Sequence, residues 1–175
     1  VDFIAGPDCQ TPPSHPQLKI HNIESVADVI ELIENKLFDT KYDGIVHSMA
    51  VLDFQPETVY DGKVPSKDEW NIRLVPTPKI LKLLPELSPE SFIIGFKLET
   101  GIPVEMLWDR ASETLKKSGV DAIIANLLED VKPENHQAYW VTPEYPRKNP
   151  EKLENMETIA SKIIDIISEK VKNNL

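Results

Sequence analysis

His47-Ser48-Met49-Ala50-Val51-Leu52-Asp53-Phe54-Gln55-Pro56 decides how this chain is read. The near-apolar stretch from Gly44 to Leu52 predicts a buried strand. It stops at an acid, an aromatic and a proline. Short apolar runs of this kind, bounded by turn formers, suit the doubly covered strands of a parallel sheet. In open α/β sheets ligands bind beyond the carboxyl ends of the strands. Asp53 is placed by this reading at such an end, where it either serves a ligand or caps a turn.

The pattern repeats outward from that stretch. Upstream, Val1 to Ala5 and Leu18 to Ile23 predict strands, separated by a proline-rich loop over Cys9 to Pro16. Ser25-Val26-Ala27-Asp28 resembles a capping box, and Val26, Val29, Ile30, Ile33 and Leu37 follow at helical spacing. Downstream, Gln55 to Asp68 is polar and aperiodic, so it predicts a loop. Trp70 to Val75 alternates and predicts a strand. Thr77-Pro78 predicts an N-cap and first helical position, followed by a helix over Lys79 to Leu84. Ser91 to Phe96 predicts a strand, Pro103 to Ser118 a helix with Gly119 as its C-cap, and Val120 to Ala125 a strand ending at Asn126. Ala138 to Val141 predicts a short strand. Asn149-Pro150 predicts the start of a last helix with Ile159, Ile163, Ile166 and Ile167 on one face. Strands alternating with helices predict an α/β fold: a three-layer, Rossmann-like, mainly parallel sheet with helices on both faces.

Composition limits the function classes. The 175 residues form one domain's worth of chain. The formal net charge is -10, which repels nucleic acid and anionic membranes. An anionic substrate therefore needs a local cluster of Lys, Arg or helix N-termini. No apolar run approaches the roughly 20 residues that span a bilayer. The single Cys9 has no internal disulfide partner, which fits a reducing, cytoplasmic setting. His15, His21, His47 and His136 show no metal-ligand spacing, and no metal site is predicted. P-loop, GxGxxG and GxSxG patterns are absent from the sequence. The chain opens at Val1 in strand-like sequence, which predicts that its first element precedes it.

Several candidate residues follow predicted strands: Asp53, Thr77-Pro78-Lys79, Phe96-Lys97 and Asn126. Parallel strands would bring them to one edge. Lys63 lies in the predicted loop, as a solvated charge or as a phosphate ligand. Lys116 and Lys117 end a helix, where the dipole favours cations with or without a ligand.

Taken in order, these pieces resemble the phosphopantothenate–cysteine ligases. His47 to Phe54 is similar to the family's "AAAVADF/Y" strand. Lys63 stands at the first lysine of its "KIKK" loop. Thr77-Pro78-Lys79-Ile80 is similar to "NPDI" or "TPKI", Ile94 to Thr100 to "VGFAAET", and Lys116 to Asn126 to "KKKGLDLIVAN". The match covers roughly Val1 to Val141 and is nearest the single-function bacterial type. The resemblance implies a single nucleotide-binding ligase domain over 1–175, without the first strand, Gly-rich loop and helix. It also implies a cytoplasmic homodimer that joins 4′-phosphopantothenate to L-cysteine in coenzyme A synthesis. An acyl-nucleotide from CTP, or from ATP, would be the intermediate, with Mg²⁺ on the triphosphate.

By the same resemblance Lys63, Asp53 and Ala50 carry the chemistry. The nucleotide is held by His47, Ser48, Met49, Asp53, Lys63, Pro78, Lys79, Ile80, Phe96, Lys116 and Lys117. The acyl substrate is held by Ala50 and Asn126. There are departures. Pro65 and Ser66 replace further loop lysines, Ser118 replaces a lysine, and Lys97 replaces a small residue. The family's "N-x-S-S-G" asparagine has no counterpart in these 175 residues, which implies less than full activity. The alternative is a non-catalytic nucleotide-binding or dimerisation module of the same fold.

Overall fold

The computed structural model describes every residue except Phe38, Pro65, Lys67, Asp68, Pro133, Glu134, Asn174 and Leu175. The chain forms two compact units. The first comprises Val1–Leu37 and Ala50–Lys79, and the second Phe38–Met49 and Ile80–Leu175.

In the first unit, β1 (Asp2–Ala5) pairs in parallel with β2 (Lys19–Asn22), Asp2 opposite Lys19 and Ala5 opposite Asn22. The His21 imidazole reaches the Asp2 carboxylate at 2.8 Å across this pair. The capping box forms as the sequence predicts. Asp28 N–H donates to Ser25 Oγ at 3.2 Å, while Ser25 N–H donates to Asp28 Oδ2 at 2.8 Å. Helix α1 (Val26–Leu32) follows, and its apolar spacing continues through a π-helical turn, Ile33–Leu37. Val29, Leu32, Ile33 and Leu37 are buried. The unit also carries an antiparallel ribbon, β4 (Phe54–Pro56) with β5 (Leu74–Pro76).

The second unit is built on a five-stranded sheet of order β11-β10-β7-β6-β3. Strands β3 (Gly44–His47), β6 (Phe92–Glu99) and β7 (Ala122–Leu127) are mutually parallel. Strands β10 (Ala138–Val141) and β11 (Glu151–Leu153) extend it antiparallel. A two-residue pair, β8 (Val131–Lys132) and β9 (Asn135–His136), lies between β7 and β10 in sequence.

Helices cover both faces. Ile94, Ala122, Ile124 and Trp140 pack against Ile159, Ile163 and Ile166 of α4 (Met156–Asn173). The opposite face meets α2 (Ile80–Leu87) and α3 (Val104–Ser118). Gly95 marks the closest approach there, since a Cβ on it would lie 2.9 Å from Leu81 Cδ2. On the α4 side a Cβ on Gly44 would lie 2.6 Å from Ile167. The predicted three-layer α/β architecture is therefore the observed one, as a mixed rather than wholly parallel sheet.

Four local expectations are corrected. The strand predicted over Gly44 to Leu52 ends at His47, and Leu52 is 74% exposed. The backbone beyond His47 bonds elsewhere: Thr77 N–H donates to the Asp53 carbonyl at 3.0 Å and the Thr77 hydroxyl to the Leu52 carbonyl. Asp53 thus opens the ribbon instead of ending a sheet strand. The strand predicted over Trp70 to Val75 is confined to β5, which among the described residues pairs with β4, and β4 takes in the first two residues of the predicted Gln55–Asp68 loop. Helix α2 begins at Ile80, with the Thr77 hydroxyl proton given to Leu52. Finally, Asn149-Pro150 precedes β11, and Asn155 opens α4 instead: Thr158 N–H donates to Asn155 Oδ1 at 2.8 Å.

Candidate functional site

The site residues fall into two groups, one in each unit. In the first unit the closing of the ribbon brings Asp53 and Lys79 together. Antiparallel pairing sets Phe54 opposite Pro76, so the flanking residues approach, and Lys79 Nζ donates to Asp53 Oδ1. Both side chains stay largely exposed, so this pair is worth at most about 1 kcal/mol. It fixes positions more than it stabilises. Further along, Glu57 N–H donates to the Arg73 carbonyl at 2.9 Å and Arg73 pairs with Glu57 at 3.2 Å. Tyr60 and Trp70 meet edge to face at 5.8 Å between centroids. Lys63 is exposed in the stretch joining β4 and β5, next to Gly62 at φ +91°. Ala50 and Pro78 are exposed.

In the second unit the parallel strands end at His47, Glu99 and Leu127, which defines the carboxyl edge of the sheet. Ser48 and Met49 follow directly from β3. His47 pairs with Gly95, and its Nε2 is buried without a hydrogen-bond partner among the described residues. Burial lowers the His47 pKa, outweighing a hydrogen bond to its own backbone, so the ring stays neutral near pH 7. Asn126 is 7% exposed at the same edge, opposite Leu98 of β6. Phe96 and Ile80 are also in this unit but serve packing. Phe96 lies against the Ile94–Ile124–Trp140 cluster, and Ile80 is buried.

Lys116 and Lys117 are not at this edge. Helix α3 returns from the end of β6 to the start of β7, so its last turn lies at the amino edge. Asp121 just beyond it binds the first residues of β6: Ile93 N–H donates to Asp121 Oδ2 at 2.7 Å. Lys117 pairs with Glu113 at 2.7 Å, one turn earlier.

One cluster at the carboxyl edge was not predicted. Glu99 accepts from Lys97 Nζ at 3.0 Å and from an Arg110 NH at 2.5 Å. Burial pushes the Glu99 carboxyl up. The hydrogen bonds and charges of Lys97 and then Arg110 outweigh it and hold it below the ordinary carboxylate range. Beside it Glu129 accepts from the Thr100 hydroxyl and the Gly101 amide, each at 2.7 Å, closing the turn into α3. The residues Lys97 to Glu99 were visible in the sequence. Their contact with Arg110, on the following helix, was not.

A family model for the DNA/pantothenate metabolism flavoprotein C-terminal domain matches residues 1–171. The chain belongs to this family. Its similarity extends to the coenzyme A biosynthesis bifunctional protein CoaBC of Thermococcus kodakarensis, 35% identical over 128 residues, which is 73% of this chain and 32% of the relative. The chain spans between 21% and 41% of the length of the curated relatives it matches. Among solved structures, the DNA/pantothenate metabolism flavoprotein of Streptococcus pneumoniae superposes with a TM-score of 0.83 at 28% identity, over 96% of this chain and 80% of that one. A Cab2 mutant in complex with phosphopantothenate-cysteine superposes at 0.68 with 21% identity, over 90% and 55%. At that identity the likeness shows the fold alone. Among the described residues of this family member, no helix is long and apolar enough to cross a membrane.

Proposed function

We propose that this chain carries the phosphopantothenate–cysteine ligase step of coenzyme A synthesis, in the cytoplasm. The observation that carries this reading is the family match over residues 1–171, joined to curated relatives that are coenzyme A biosynthesis proteins. The phosphopantothenate-cysteine bound to the Cab2 fold is the product such a step would form.

In the proposed reaction a carboxylate oxygen of 4′-phosphopantothenate attacks the α-phosphorus of CTP, or of ATP. The bond to the bridging oxygen breaks and pyrophosphate leaves. The amine of L-cysteine then attacks the acyl carbon, an amide forms, and the nucleoside monophosphate departs as the amine loses its proton. Neither step needs a protein nucleophile. Both need cations on the phosphates and fixed donors at the reacting centre.

Lys63, exposed on the ribbon, is assigned to the triphosphate. Asp53, held by Lys79, and the backbone of His47 to Ala50 are assigned to the nucleotide and the acyl intermediate. Pro78 and Lys79 flank the nucleotide, and Asn126 takes the acyl substrate. Ile80 and Phe96 pack in the core of the second unit, and Lys116 and Lys117 are left without an assigned role. Among the described residues no group of three or more His, Cys, Asp or Glu could hold a metal ion. The donor set does not fit a protein-held ion, so the proposed Mg²⁺ belongs to the nucleotide's own phosphates.

The proposed assembly is a homodimer that uses the ribbon. Leu52, Phe54, Tyr60, Trp70, Ile72 and Leu74 are each more than half exposed there. An isolated two-stranded ribbon is marginal in water and gains by being covered. Residues 50–79 carry five acids and four bases, a net charge of -1, in a chain of net -10. Charge on this segment therefore opposes a second copy only weakly. A single 19.8 kDa species in sedimentation at micromolar concentration overturns the dimer.

Activity is tested by pyrophosphate release from CTP or ATP, measured on the protein as encoded. Release that requires 4′-phosphopantothenate supports the ligase. Nucleotide binding without release under any substrate combination refutes it and leaves the binding module.

A further inference from the structure

We propose that Lys97 and Arg110, bridged by Glu99, form a phosphate-binding subsite at the carboxyl edge of β6. Only the identity of the molecule bearing the phosphate rests on the ligase reading above.

One carboxylate lies between two cations, Lys97 at 3.0 Å and Arg110 at 2.5 Å, so the trio carries one uncompensated positive charge. In a chain of net charge -10 such a locus is uncommon and attracts anions. The neighbouring acids have other partners. Glu113 feels Arg110 but is paired with Lys117 at 2.7 Å. Glu129 keeps its charge, but its carboxylate is engaged by the Thr100 hydroxyl and the Gly101 amide, not by either cation.

Donor count points the same way. A lysine ammonium has three N–H donors and a guanidinium five. The Glu99 contacts use few of them, and the Lys97 and Arg110 side chains keep 33% and 46% of their exposure. A planar guanidinium beside an ammonium suits a tetrahedral oxyanion. Glu99, only 16% exposed, lies between the two cations and competes with a ligand for them.

Position is the independent observation. Lys97 and Glu99 alternate with Gly95 along β6, so all three share one face of the sheet. His47 pairs with Gly95, and its buried Nε2 lacks a partner among the described residues. Buried polar groups left in that state are uncommon and usually mark a site completed by something else.

The test is titration of inorganic pyrophosphate into the chain, followed by calorimetry, with Lys97→Met and Glu99→Gln as variants. The wild type is expected to bind. Lys97→Met is expected to bind about tenfold more weakly, having lost one charge-assisted contact. Glu99→Gln removes the competing carboxylate, so it is expected to bind at least as tightly as the wild type. A purely structural ion-pair cluster predicts no pyrophosphate binding by the wild type or by either variant. No pyrophosphate binding by the wild type, equal binding by Lys97→Met, or weaker binding by Glu99→Gln overturns the proposal. Circular dichroism of each variant confirms that it is folded, and Lys97→Ala replaces Lys97→Met if the latter is not. Parallel titrations with CTP and with 4′-phosphopantothenate identify the source: the ligand whose affinity falls about tenfold in Lys97→Met carries the phosphate. If neither falls, the subsite is refuted. Loss of ligase turnover with anion binding retained refutes only the ligase reading.

Discussion

Gly95→Ala is the sharpest test of how the sheet is packed. Gly95 lies in the middle of β6, and an added Cβ would lie 2.8 Å from Ile123 Cδ1, with Leu81 Cδ2 and Cδ1 at 2.9 and 3.0 Å. Carbon atoms in contact prefer about 3.5–4.0 Å, so each neighbour must retreat by roughly half an ångström or more. Ile123 is fully buried, and a close-packed interior offers it little room. Overpacking of this kind costs about 1–3 kcal/mol. Loss of the glycine's unfolded-state freedom returns about 0.5–1 kcal/mol. The net is a destabilisation of about 1–2 kcal/mol, which lowers Tm by roughly 2–8 °C in a chain of this size. Two of the three close contacts are to Leu81, so Leu81→Ala should absorb much of the added methyl. In a double-mutant cycle by urea unfolding, Gly95→Ala with Leu81→Ala is expected to be about 1 kcal/mol more stable than the sum of the single effects. Gly95→Ala within about 0.5 kcal/mol of wild type, or strict additivity, would show that α2 does not press on β6 here.

Other outcomes follow from named contacts. Asn155→Ala should lower stability by about 1 kcal/mol in urea unfolding, whereas Asn149→Ala should leave it unchanged, because Asn155 accepts the Thr158 amide at the start of α4. The His47 pKa is lowered in the fold, so the unfolded chain takes up its proton first as pH falls. The stability His47 confers above about pH 6.5 is then lost as pH drops toward its folded pKa. His47→Gln should therefore show a smaller fall in Tm than wild type between pH 7 and pH 5; identical falls would mean that His47 is not the titrating group. Lys63→Gln should lower turnover at least about tenfold without moving Tm, since Lys63 is exposed and its proposed role is to hold the triphosphate; unchanged turnover removes it from the mechanism.

Much of the fold was legible because local rules and tertiary packing agree. The Ser25–Asp28 box, Gly119 at φ 76° after α3, and the isoleucine face of α4 all formed where spacing placed them. Failures cluster where an apolar residue is not buried. Leu52 and Trp70 look like strand interior in sequence, yet both are exposed and lie outside any strand. Periodicity reports a preference for cover, and it does not say which surface supplies the cover. The Asn149-Pro150 signal was locally sound too, but Asn155 offered a second cap six residues on, and pairing of β11 with β10 claimed the residues between.

The candidate site shows the same division. Residue types at strand ends were readable, and the ribbon does bring Asp53 and Lys79 together across 26 residues. That contact depends on an antiparallel return that no motif encodes. Lys116 and Lys117 show the converse. Their place in a family-like motif says nothing of direction, and α3 carries them to the amino edge of the sheet. The cations at the carboxyl edge are Lys97, where the resemblance implied a small residue, and Arg110. A lysine among apolar strand residues is tolerable only with a partner for its charge. Glu99, two positions along the same face, is that partner and is available by strand alternation alone. Arg110 adds a second cation to the same carboxylate from α3, a contact that no strand period foretells.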